Sequence, residues 1–137
     1  MKKLLFGIDS LLLQKNKFQQ LRLALVTNNA ATTYSGESSR VALLKADLPI
    51  TKLFSPEHGL SAKGEDGVYQ SNSVDSLTQL PIISLYGDYL MPTAADLADI
   101  DIVLFDIPDI GCRFYTYLWT MTYVMEACAL YNKSLII

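Results

Sequence analysis

The amino-acid sequence predicts an α/β fold: a mainly parallel sheet with helices on both faces, Rossmann-like in the broad sense. Three observations carry that reading. The apolar runs are short and continuous, as in strands covered on both faces. Segments with helical spacing separate most of them. The chain has 137 residues, half of them hydrophobic, and a mean hydropathy of +0.23. That suffices for one packed domain and is too apolar for a disordered chain.

Each element follows from local pattern. Ile8, Leu11 and Leu12 lie at helical spacing and give a short opening helix. Residues 21–26 form the first strand, and a polar stretch runs from 27 to 39. Val41, Ala42, Leu43 and Leu44 give a helical stripe, started by Ser38 or Ser39 and stopped before Pro49. Residues 50–54 are the second strand, ended by Pro56. Residues 59–80, rich in Gly, Ser, Asn and Asp, far exceed the usual connection of about two to six residues; such loops are functional or mobile. Residues 82–85 are the third strand, Pro92 and Thr93 open a short helix through Leu97, and residues 102–105 are the fourth strand. A long helix spans 114–131, and residues 135–137 begin a fifth strand. That long helix is apolar nearly all round, like one buried on several sides. The domain is expected to be truncated, leaving an exposed apolar patch or self-association through it.

Composition excludes several classes. Eleven Lys and Arg against 14 Asp and Glu give a net charge of −3, with the basic residues scattered, so no nucleic acid is expected as a partner. Cys112 and Cys128, 16 apart in one predicted helical region, are too distant for a disulfide and read as reduced core thiols; no metal-ligand cluster accompanies them. The start, Met1 to Phe6, imitates a signal peptide, but Gly7 and Asp9 break the apolar run, so it reads as mature and cytoplasmic. Residues 114–131 contain Glu126 and lack a clean run of about 20 apolar residues, which argues against a membrane span. No GxGxxG follows the first strand, which continues Val26-Thr27-Asn28-Asn29-Ala30-Ala31, and no P-loop exists; no cofactor is expected.

In open parallel sheets, ligands bind beyond the carboxyl ends of the strands. Those ends hold Thr27, Asn28 and Asn29; Ser55, Glu57 and His58; Tyr86, Gly87 and Asp88; and Asp106, Asp109, Arg113 and Tyr115. Strands lie about 4.8 Å apart, so carboxylates on adjacent or next-adjacent strands stand roughly 5–10 Å apart, which spans both spacings of glycosidase pairs. Glu57, near apolar neighbours, is expected to have a raised pKa and act as a general acid while Asp106 or Asp109 stays ionised. Plainer readings stand beside these. Ser55-Pro56-Glu57-His58-Gly59 is also ordinary turn punctuation, His58 a hydrogen-bonded structural group, and Asp106 with Arg113 a structural ion pair. Phe114 to Tyr117 also suit a core, and Asn28 a backbone cap. Residues 101–111 superficially match a receiver-domain phosphoacceptor strand, but the acidic pair needed on the first strand is replaced by Thr27-Asn28-Asn29.

Taken in order, Leu25-Val26-Thr27-Asn28, Leu53-Phe54-Ser55-Pro56-Glu57-His58-Gly59, Ser84-Leu85-Tyr86-Gly87 and Asp106-Ile107-Pro108-Asp109-Ile110-Gly111-Cys112-Arg113-Phe114-Tyr115-Thr116-Tyr117 resemble the exo-β-N-acetylmuramidase (NamZ-like) family. The resemblance extends from Gly7 onward, with departures at Asn29, Ala31, Pro108 and Cys112. It implies a bacterial glycoside hydrolase releasing N-acetylmuramic acid from the non-reducing ends of peptidoglycan fragments, with a cleft between a Rossmann-like domain and a second domain. It further implies that residues 1–137 are the amino-terminal part of that catalytic domain and that the fragment alone is inactive. Glu57 is then the leading catalytic residue, with His58 beside it. Asn28, Tyr86, Asp106, Asp109, Arg113 and Tyr115 are implied substrate-binding residues, Arg113 facing a lactyl carboxylate. The partners would be peptidoglycan-derived muramyl sugars, with no metal. The alternative is a non-catalytic carbohydrate-binding or interaction module.

Overall fold

The computed structural model describes residues 4–137; the first three residues of the signal-peptide-like start lie outside them. The strands are β1 (Leu23–Thr27), β2 (Ile50–Ser55), β3 (Ser73–Val74), β4 (Pro81–Ser84), β5 (Ile102–Asp106) and β6 (Ser134–Ile136). The α-helices are α1 (Gly7–Leu12), α2 (Ser39–Lys45), α3 (Ala94–Leu97) and α4 (Tyr117–Leu130). One sheet runs β3-β4-β2-β1-β5-β6, with β3 antiparallel to β4 and every other pair parallel. Counting the parallel strands alone gives the order 3-2-1-4-5, the doubly wound arrangement with its switch point between β1 and β5.

Alternation along β1 divides the core. All five of its residues are buried. Leu23 and Leu25 pack with Leu43 of α2 and Ile8 of α1, while Ala24 and Val26 pack with Leu97 of α3 and Val124, Ala127 and Cys128 of α4. Helices therefore cover both faces, as the continuous apolar strands require.

The structure departs from the sequence reading at several places, two of them through specific interactions. The first strand begins at Leu23, because Arg22 is drawn to Asp101: its backbone N–H and guanidinium both donate to that carboxylate. The long 59–80 connection contains β3 and is tied down. Gln70 N–H donates to the Tyr86 carbonyl, Ser84 N–H to Asn72, and Arg40 Nε to Asp75 at 2.9 Å with both side chains buried. The last helix begins at Tyr117, leaving Phe114 84% exposed rather than in a core. Cys112 lies outside that helix and is half-buried, so only Cys128 is a core thiol. Helix α4 is buried on one side; Leu118, Trp119, Met125 and Leu130 are exposed. Total accessible area is 7982 Å², against about 7,100 Å² expected for a folded monomer of this mass. At α3, Thr93 caps as the sequence suggests, its hydroxyl accepting from Asp96 N–H and the Asp96 carboxylate accepting from Thr93 N–H.

Candidate active site

Pro56 removes a ladder donor directly after β2 and ends the strand. The chain then turns tightly: His58 and Gly59 both have positive φ, +66° and +70°, and Gly59 N–H donates to the Pro56 carbonyl. A histidine in the left-handed region is uncommon and needs its surroundings to hold it. The hold comes from Nδ1, which lies 2.8 Å from the Gly64 carbonyl and therefore carries the proton. Nε2 lies 3.6 Å from the Asp66 carboxylate. His58 thus fastens the 58–66 loop, in line with the structural reading of this residue.

The turn buries Glu57, which is only 6% exposed. Its Oε1 accepts from Gly67 N–H at 2.8 Å and its Oε2 from the Thr116 hydroxyl at 2.6 Å. Burial pushes its pKa up, but Thr116, the Gly67 N–H, the Tyr86 hydroxyl and the nearby His58 outweigh that and hold it below the ordinary value. The expected raised pKa is therefore corrected: burial is present, but the Gly67 and Thr116 donors hold the charged form, with Tyr86 and His58 adding to them. Tyr86 feels the same proximity in reverse, its pKa raised by the Glu57 charge first, then by desolvation and hydrogen bonding to that carboxylate.

Asp106, the last residue of β5, behaves oppositely. Burial raises its pKa, with the Ser39 hydroxyl opposing the shift, and its Oδ2 is buried without a hydrogen-bond partner among the described residues. Asn28 follows β1 and is fully buried; its Oδ1 accepts from Ala30 N–H, a local backbone turn, while its Nδ2 has no partner among the described residues. Asn28 stands beside the Tyr117 hydroxyl, whose pKa burial raises, and Tyr117 meets Tyr115 edge-on at 4.7 Å. Orphaned polar atoms at strand ends are where a ligand's polar groups gain most.

Glu57, Tyr86, Asn28 and Tyr115 thus cluster around the start of α4. A cavity of about 500 Å³ at the switch point is lined by Asp106, Asp109, Tyr117 and apolar side chains, and Glu57 does not line it. Asp109 is exposed and accepts from Gly111 N–H, and Arg113 is exposed. No ion pair joins Arg113 to Asp106 or Asp109 among the described residues, which removes the structural ion-pair reading. The sequence reading passed over Thr116 and Gly67 as site groups. Thr116 precedes a helix like any capping threonine, and Asp66-Gly67 looks like any turn; neither carries a sequence signal for a carboxylate 59 or 10 residues away. Among the described residues, no group of three or more His, Cys, Asp or Glu is placed to hold a metal, and no helix is long and apolar enough to cross a membrane.

The peptidoglycan β-N-acetylmuramidase NamZ of Bacillus subtilis is 42% identical over 123 residues, 88% of this chain and 30% of its own length. Two crystal structures of DUF1343 family proteins from Bacteroides fragilis match the fold. One has a TM-score of 0.81 at 38% identity, over 94% of this chain and 32% of its own. The other has a TM-score of 0.78 at 28% identity, over 98% and 34%. The chain spans about a third of the length of these relatives. The family model described as exo-β-N-acetylmuramidase NamZ, N-terminal, matches residues 23–137, and the chain belongs to that family.

Proposed function

We propose that residues 1–137 form the amino-terminal part of the catalytic domain of an exo-acting muramidase, with a second domain completing the cleft. The substrate class is peptidoglycan fragments carrying N-acetylmuramic acid at the non-reducing end. The observation that carries the reading is the buried Glu57 carboxylate, gripped on both oxygens at the carboxyl edge of the sheet and kept ionised. A muramidase relative at 42% identity supports the substrate class.

In this reading the two carboxyl groups exchange the roles expected from sequence. Glu57, ionised, faces the anomeric carbon and takes a proton from the incoming water or stabilises the positive charge developing there. Asp106, whose carboxyl burial makes a weaker acid, serves as the proton donor to the leaving glycosidic oxygen as the C1–O bond breaks. Water oxygen replaces that oxygen at C1, which balances the hydrolysis. Strands β2 and β5 flank β1, so their ends lie about 9.6 Å apart. Tyr86 and Tyr115 bind the sugar, and the buried Asn28 supports them from beside Tyr117. The exposed Arg113 and Asp109 reach it from the segment after β5, Arg113 toward the lactyl carboxylate. His58 acts through the loop that presents Gly67.

The test is chromophore release from a para-nitrophenyl muramic acid glycoside by a full-length relative and its Glu57→Gln equivalent. The substitution should lower kcat by about 10²-fold or more. The acid limb should fall below the ordinary glutamate value of about 4.3, because the folded carboxyl holds its proton less tightly. Full activity in the glutamine variant would overturn the reading.

A further inference from the structure

We propose that Thr116 is a positioning residue for this hydrolysis, its hydroxyl fixing the orientation of the Glu57 carboxylate from the residue that precedes α4. The inference rests on the reading of Glu57 as the catalytic carboxylate and adds a group that acts through it.

Two independent observations lead there. The first is the bond itself: Oγ1 donates to Oε2 at 2.6 Å, the short range of a hydroxyl on a charged acceptor. The second is the local bond that Thr116 does not make. A threonine at this helix position ordinarily turns its oxygen onto a backbone N–H of the first turn. Thr116 makes no such bond, and its backbone is helical (φ −82°, ψ −10°) rather than extended as at Thr93. The helix forgoes a cap, and the hydroxyl is spent on another segment of the chain. A broken local rule of this kind is expected where function competes with stability.

The geometry explains why one grip is insufficient. The Gly67 N–H holds Oε1 from the long loop. Alone, it would let the carboxylate plane swing; a second donor on Oε2 fixes both oxygens against two different elements. Threonine suits this because its branched Cβ restricts χ1 more tightly than serine does. The other titratable groups near Glu57 are His58 of the loop, Tyr86 beyond β4 and Tyr117 of α4. None of them occupies Oε2 in the way Thr116 does.

The test has two arms. In the 137-residue chain, the Glu57 carboxyl is titrated by carbon NMR in the parent and in Thr116→Val and Thr116→Ser. Valine should move the midpoint upward, and serine should return it toward the parent. In a full-length relative with the corresponding threonine, valine should lower kcat about 10- to 100-fold with little change in KM, and serine should recover most of the loss. If valine prevents folding, Thr116→Ala is read by the same titration. An unmoved midpoint with unchanged kcat, while Glu57→Gln is inactive, would overturn this inference alone. An active Glu57→Gln would instead overturn the functional reading beneath it.

Discussion

Replacing Arg40 by leucine should unfasten the loop that carries Gly67, and the structure fixes the size of the effect. Arg40 Nε meets Asp75 Oδ2 at 2.9 Å with the side chains 5% and 4% exposed, and Nη1 donates to Ser38. The same Asp75 oxygen accepts from the Thr78 N–H and hydroxyl. Removing the cation leaves a buried carboxylate with neutral donors only, which costs about 3–5 kcal/mol. With an m-value of about 2 kcal/mol/M, the urea midpoint at pH 7 should fall by roughly 1.5–2.5 M. Replacing both partners, Arg40→Met with Asp75→Leu, should recover much of this, because no unpaired charge remains. Burial pushes the Asp75 carboxyl up, but Thr78 and Arg40 outweigh it and hold it below its ordinary value. A depressed carboxyl contributes stability above its unfolded value of about 3.9, and loses it as pH falls through the folded value. The deficit of Arg40→Leu should therefore be greatest near neutrality and shrink below about pH 4. A loss under about 1 kcal/mol at pH 7, or a deficit independent of pH, would refute the reasoning.

Two further outcomes follow from packing. A Cβ on Gly87 would lie 2.7 Å from the Gln70 carbonyl oxygen, a backbone atom that cannot step aside cheaply; Gly87→Ala should cost about 1–3 kcal/mol in a thermal melt. An unchanged melting temperature would show that the loop gives way freely. The exposed Leu118, Trp119, Met125 and Leu130 should make the chain associate as concentration rises, and Trp119→Lys should weaken that association in sedimentation velocity. A parent that stays monomeric throughout would remove the apolar face as a contact.

Fold and site differ in how far the sequence discloses them. The five parallel strands are legible because a strand covered on both faces must be apolar throughout, as Leu23-Ala24-Leu25-Val26 is. Strand β3 is not, since Ser73 and Val74 are exposed and pair only through backbone bonds to β4. The position of Glu57 at a strand end could be read from Pro56 and Gly59. Its ionisation could not, because that depends on donors from Thr116 and Gly67, which local pattern marks only as a helix residue and a turn. The same limit hid the surroundings of Asp106: its place at a strand end was visible, but the lack of a partner on Oδ2 among the described residues is a property of three-dimensional packing.

Among the described residues, strand β6 pairs with β5 and has no strand on its other side, and α4 shows an apolar flank to solvent. These two exposures are geometrically one problem. A parallel edge cannot be closed by a hairpin; a strand added in the same direction needs a crossover of a dozen or more residues, usually helical. Such crossovers are right-handed, and β5-α4-β6 already runs outward over one face. The next unit in that direction would set its helix on that same face, beside α4. A single helix-and-strand unit would therefore satisfy the open ladder and the uncovered side chains together, whichever polypeptide supplies it.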